Sequence, residues 1–429
     1  MRFRIERDAL AEAVSWVARA LPARPVIPVL SGMLIEAEGG TLALSCFDYD
    51  VSARFEMDAD VAEPGTVLVP GRLLAEITRN LSGTVAEFAS GVDSVELTCG
   101  TAEFTLVMLA VEDYPSLPKM PPPAGTVDSA EFAAAVAQVA TSASRDDTLP
   151  MLTGVFAEIE GDTITLVSTD RYRLAVRELN WAPARSDLRG SALVPARALA
   201  EAARTMTSGG RVAIALQDDG AAGPSAAGGA GHEPGGMIGF ESGGRRLTTR
   251  LIGGEFLKYS SRFPAEFGSE AEMTPGPLVE AVRRVALVAE RGSAVRLAFG
   301  EGEVVIEAGS QGQARAVEHV PASFAGDERV IAFNPQYLLD GLVAAALPRP
   351  SAGHGKSAAA DGDGASEDAA GRSDNTPDPG RIRLSFTSAV RPAVITWLPG
   401  AGHDAAEEPQ DETPDFRYLV VPLRMPGSG

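Results

Sequence analysis

Two cysteines, Cys46 and Cys99, and four histidines are all this chain holds of the residues that most often form disulfides or zinc sites. Two cysteines make no zinc framework, and a chain of 429 residues buries a core without needing a disulfide. Both thiols are therefore expected to be buried and reduced. His232, His354 and His403 fall in or beside low-complexity stretches, and with His319 they make no pair at metal-ligand spacing. Long apolar runs are missing as well. Behind Met1-Arg2-Phe3-Arg4 there is no apolar signal core, and no run of about 18 apolar residues could span a bilayer, so the cytoplasm is the expected compartment. No glycine-rich phosphate loop joins a strand to a helix; Gly209-Gly210 follows a helical pattern and reads as a turn, and Asp146-Asp147 reads as a solvated loop. No catalytic residue, metal or cofactor is expected.

What is present is an apolar fraction of 45%, a charged fraction of 22% and a net charge of −21, which describe a soluble globular chain with room for several domains. The acidic balance excludes a surface that is basic all over. It does not exclude a basic stripe on an acidic body.

The chain also repeats itself. Leu10, Ala13, Val14 and Val17 recur as Phe132, Ala135, Val136 and Val139, and again as Leu278, Ala281, Val282 and Val285. Each set has the i, i+3, i+4, i+7 spacing of one buried helix stripe. Asp8, Asp128 and Thr274 are expected to cap these helices. Leu10 and Phe132, Pro28 and Pro150, Leu30 and Leu152, Gly32 and Gly154, and Asp48 and Asp170 are all 122 residues apart. A second helix follows each time, opened by Val69-Pro70-Gly71-Arg72, Val194-Pro195-Ala196-Arg197 and Phe333-Asn334-Pro335-Gln336, with proline expected near the first helical position. Alternating runs such as 41–47, 163–168 and 303–307 read as half-buried antiparallel strands. The reading is α+β, with three tandem units of two helices plus strands: residues 1–124, 125–264 and 265–429. Gly-, Ala- and acid-rich insertions at about 218–237, 350–380 and 400–414 lengthen the second and third units as flexible surface loops. A threefold repeat suits a ring or long surface better than one asymmetric catalytic centre.

Val167-Ser168-Thr169-Asp170-Arg171-Tyr172-Arg173-Leu174, Met151-Leu152-Thr153-Gly154, the segment 251–264 and the C-terminal Tyr418-Leu419-Val420-Val421-Pro422-Leu423-Arg424-Met425 resemble the bacterial DNA sliding clamps, the β subunits of DNA polymerase III. The N-terminal 1–10 and Arg24-Pro25 with Pro28-Val29-Leu30 are similar too. The resemblance implies three clamp-type domains, each with two inner helices and outer antiparallel sheets, two chains joined head to tail in a ring around duplex DNA, and a non-catalytic role in processivity. Weak phosphate attraction would let such a ring slide. The arginines on or beside the candidate inner helices are Arg19, Arg72, Arg79, Arg145, Arg197, Arg204, Arg283, Arg284 and Arg291, and Arg24 matches a DNA-contacting position of the family. Phe104 and Leu106 on an edge strand and Leu287 on a helix would close the dimer.

The resemblance further implies a pocket for short linear motifs of the polymerase α subunit, the clamp loader and other partners. It would be built from Leu152, Thr169, Arg171, Tyr172, Arg173, Leu174, Leu257, Ser261, Arg262, Pro392, Leu419, Val421, Pro422, Leu423 and Arg424. Here the chain departs from the pattern. Leu257 stands where proline is common, Arg262 where an apolar residue is usual, and Val421 where methionine is frequent. Either partners have drifted with the pocket, or the chain is a specialised duplicate clamp whose pocket takes partner peptides but rejects a pocket-directed antibiotic.

Overall fold

The computed structural model describes residues 1–216, 231–232 (backbone), 236–290, 292–309, 314–327, 329–347, 380–399 and 414–424. The three insertions fall almost entirely outside these residues, as do His354, His403, Arg291 and Met425. The chain divides into two compact units, one of residues 1–168 with 178–257, the other of 169–177 with 258–429.

The first unit holds two helix pairs, α1 (Arg7–Val17) with α2 (Gly71–Arg79) and α3 (Ser129–Ala140) with α4 (Ala196–Thr205). The apolar stripes of α1 and α3 are fully buried, and each large side chain in them contributes about 1.5–3 kcal/mol. Asp128 caps α3 as expected, its Oδ1 accepting the Ala130 and Glu131 N–H groups at 2.9 and 3.0 Å. Asp8 does not cap α1. The strand Arg2–Glu6 runs straight into that helix, which starts at Arg7 with Glu6 in the cap position, leaving Asp8 in the first turn. Pro70 and Pro195 sit one place earlier than expected, because each still ends a strand and its extended backbone forms the cap position.

One antiparallel sheet of this unit runs through both repeats. The strand Arg245–Arg250 of the second repeat pairs with Val51–Asp58 of the first, Thr249 opposite Val51 and Arg245 opposite Phe55. Backbone groups that would otherwise form open edges are satisfied across the junction. A five-stranded sheet carries the edge strand Ala102–Val107.

The second unit holds α5 (Pro275–Val285) and α6 (Pro335–Ala345) on antiparallel strands. Thr274 occupies the cap position of α5 without a side-chain bond, and Pro275 takes the first helical place. Asn334 caps α6 through the Gln336 and Tyr337 N–H groups. The C-terminal strand Phe416–Val420 pairs with the segment from Arg173 to Arg177, Arg173 opposite Val420. Since Val51 and Arg173 are 122 residues apart, this repeats the pairing of Val51 with Thr249.

The repeat extends to backbone strain. Among the described residues Tyr49 and Arg171, also 122 apart, are the non-glycine residues with positive φ, at 76° and 79°. Asp48 Oδ1 accepts the Asp50 and Val51 N–H groups, and Asp170 Oδ1 accepts those of Tyr172 and Arg173. A left-handed non-glycine residue costs about 1–3 kcal/mol, which the aspartate bonds offset.

Candidate functional site

The Asp170 turn fixes the expected pocket residues of the second unit. The Thr169 hydroxyl donates to Arg173 O at 2.6 Å and accepts the Arg171 N–H at 3.1 Å. The turn presents Arg171 and Tyr172 outward, Tyr172 with 53% of its surface free, and turns Arg173 and Leu174 inward. The Arg173 guanidinium donates to Asp170 Oδ2 at 2.9 Å and to Asp340 of α6, and lies 4.6 Å over the Tyr337 ring. Its charge is therefore spent within the chain. Tyr172 stacks on Tyr337 with 6.0 Å between ring centres. The Tyr418 hydroxyl donates to Tyr337 O at 2.8 Å, and burial pushes that phenol well above its usual range, so it stays neutral. Gly341 makes room for it: a Cβ there would stand 2.4 Å from the Tyr418 ring.

Past the last strand, Val421 N–H donates to Tyr172 O at 2.9 Å and Leu423 N–H to Ala332 O at 2.7 Å. These two bonds tie the C-terminal strip beside the turn. Pro422, Leu419 and Leu174 are buried, while Leu423 and Arg424 face outward and Val421 is half-buried. Pro392 is half-buried, and Ser261 and Arg262 are exposed on the short helix Ser260–Arg262. Leu152 is buried and Leu257 half-buried in the first unit. The structure thus gathers Thr169 to Leu174 with Val421 to Leu423. It adds Tyr337, Asp340 and Tyr418, which sequence reasoning missed. Tyr337 and Asp340 are three apart on one helix, a spacing that would have flagged a shared face.

The described arginines of the set are all exposed but not equivalent. Arg19 donates to Glu201 Oε1 at 2.7 Å, and Arg204 bonds the other oxygen of that carboxylate. Arg283 pairs with Glu280 at 2.6 Å, and Arg284 forks onto both oxygens of Glu318 at 2.6 Å each. The Arg284 guanidinium holds the Glu318 carboxyl below its usual range. Arg72 donates to Pro22 O at 3.0 Å. Arg24, Arg79, Arg145 and Arg197 make no ion pair among the described residues. The charges of these four are uncompensated, whereas Arg19, Arg204, Arg283 and Arg284 are paired with carboxylates.

At the expected dimer contacts, Leu287 is 82% exposed and Phe104 36%. Leu106 differs from both. It shares a face of the edge strand with Phe104, yet at 1% exposure it belongs to the core of its own unit, opposite Val95. Cys46 and Cys99 are free and buried. No described helix is long and apolar enough to cross a membrane, and no cluster of three or more metal-ligating side chains occurs among the described residues.

Comparison with known proteins gives these arrangements a common origin. Models of the DNA polymerase III beta subunit match in three consecutive pieces, its N-terminal domain at residues 1–118, its central domain at 126–258 and its C-terminal domain at 260–349. The Streptomyces coelicolor beta sliding clamp is 47% identical over 427 residues, covering 100% of both chains. The beta sliding clamp homolog GriR of Streptomyces muensis is 45% identical over 99% of this chain and 100% of its own. Among solved structures, the Bacillus subtilis sliding clamp superposes with a TM-score of 0.79 at 24% identity, covering 99% of each chain. The Pseudomonas aeruginosa clamp bound to griselimycin does so with 0.78 at 24%, covering 99% of this chain and 100% of its own. With its three consecutive domain matches, its near-complete alignment to curated clamps and their fold, the chain belongs to the DNA polymerase III beta subunit family, the bacterial DNA sliding clamps.

Proposed function

We propose that two copies of this chain close head to tail into a six-domain ring on duplex DNA. The ring tethers the replicative polymerase and other motif-bearing partners without catalysing a reaction itself, in the cytoplasm. Domain limits of 1–124, 125–264 and 265–429 fit this reading.

The observation that carries it is the unmatched end of the repeat. After α1, the turn Ala18–Ala20 sets Arg19 against α4 of the next repeat, beside a 2.8 Å bond from Trp16 Nε1 to Thr205. Leu10 and Leu278 are 268 residues apart, and at that spacing Leu287 is the counterpart of Arg19. It stands 82% exposed. At the other end, α2 is the counterpart of α4. Its Leu73, the counterpart of Ala198, is 46% exposed, while Ala198 is 7% exposed. A second copy supplies what each end lacks, with the edge strand Ala102–Val107 and Phe104 alongside.

After loading onto nicked circular DNA, the protein should stay bound through gel filtration and be lost once the circle is cut. Equal retention on linear and circular DNA would refute the ring.

A second reading, a duplicate clamp tolerant of a pocket-directed inhibitor, is favoured by Leu257, Arg262 and Val421. A clamp of this fold binds griselimycin. An L257P/R262L protein should then gain affinity for such an inhibitor by tenfold or more while its affinity for a polymerase motif peptide changes little. Calorimetry showing equal changes for both ligands removes this reading.

A further inference from the structure

We infer that Glu201 is a built-in stand-in for a DNA phosphate, occupying the Arg19 and Arg204 guanidiniums so that this helix face holds the duplex less tightly. The inference rests on the reading that the arginine-bearing helices meet DNA.

Both oxygens of the Glu201 carboxylate are taken, Oε1 by Arg19 at 2.7 Å and Oε2 by Arg204. A carboxylate and a phosphate present a guanidinium with the same kind of acceptor, so the two compete for one donor set. Burial of Glu201 would raise its carboxyl, but the bonds from Arg19 and Arg204 outweigh it and hold the group below the usual range. The competitor is therefore charged at neutral pH.

The repeat supplies an internal comparison. Arg72, Glu76 and Arg79 on α2 have the spacing of Arg197, Glu201 and Arg204 on α4, each 125 residues on. Glu76 is exposed and makes no ion pair among the described residues, and Arg79 is likewise free. What differs is Arg19. It comes from the preceding repeat, and the Trp16–Thr205 bond sets the end of α1 against α4, which brings it within reach of Glu201. Opposite the partly buried Arg245, Glu12 makes a further ion pair across the same junction. The quenching of two arginines is thus a product of how the first two repeats join. Its consequence suits a sliding ring, in which each phosphate contact adds affinity and also friction.

The test uses the full chain with a short linear duplex, which a closed ring can thread unaided, with binding followed by fluorescence anisotropy against salt. Freeing one net positive charge adds about 0.9 to the slope of log affinity on log salt, so the gain of E201Q over the parent is about 3.5-fold larger at 50 mM than at 200 mM salt. E76Q changes the net charge equally but frees no arginine, and its slope should stay at the parent value. R19A/E201Q should fall back toward the parent. R197A reports on the underlying reading and should lower affinity. An unchanged slope in E201Q while R197A binds less well overturns the inference alone. An equal rise in E76Q overturns it too, since net charge then accounts for the effect. No loss in R197A, with no change in E201Q, overturns the reading beneath it as well.

Discussion

An L287D chain should sediment as a 44.6 kDa monomer at concentrations where the parent is a dimer. Leu287 stands 82% exposed just past the end of α5. Burying a leucine is worth about 1.5–3 kcal/mol, and aspartate both loses that and places a charge where water is excluded. A head-to-tail pair has two such contacts. Losing about 2–3 kcal/mol at each amounts to about 4–6 kcal/mol, a factor of roughly 10³–10⁴ in the dimer dissociation constant. Leu73→Asp should act in the same direction from the opposite side of the contact. Val26→Asp is the control, because Val26 is 84% exposed and lies outside the proposed contact. A dimer unchanged in L287D would place the interface elsewhere.

Arg173→Ala should be the most destabilising change in the second unit. The Arg173 side chain is largely buried, and its removal leaves Asp170 and Asp340 facing each other without a counter-charge and strips the Tyr337 ring of its cation. Removing one partner of a buried ion pair costs about 3–5 kcal/mol. The partial exposure of Asp340 puts this case near the lower end, about 3 kcal/mol. Arg173→Lys keeps the charge but loses the fork that reaches two carboxylates at once, and should cost less. The effect reaches the pocket, because the Arg173 N–H and Tyr172 O hold the turn and the C-terminal strip in place. Denaturant unfolding gives the stability change and calorimetry the loss of motif-peptide affinity. Parent-like unfolding of R173A would mean that the network orders nothing.

The same residues show how far the sequence could be read. The helix stripes and the alternating strands were legible because each answers to a local period, 3.6 residues or 2, that burial on one side imposes. The strand expected at 41–47 is found at Thr41–Phe47. Helix starts were less legible. Asp8 was misplaced by two residues and Pro70 and Pro195 by one, because a strand ends directly against each helix and the backbone of that strand, not a side chain, decides where the helix begins. Of the pocket, the Asp170 turn and the C-terminal strip were readable as motifs. Tyr337, Asp340 and Tyr418 were not, since they join Arg173 only across 164 residues or more of chain.

The sequence by itself determined the threefold repeat, its α+β character and the positions of its buried faces, because short-range periodicity and a constant offset encode them. Tertiary structure alone decided which charges remain available. Arg19 and Arg72 look alike in sequence, yet one is held by a carboxylate 182 residues away and the other by a backbone carbonyl. It also decided that Leu106 is core while Phe104 and Leu287 stay open. Exposure and ion pairing are properties of what lies opposite a side chain, and strand pairing across the repeats, not local pattern, sets what lies opposite.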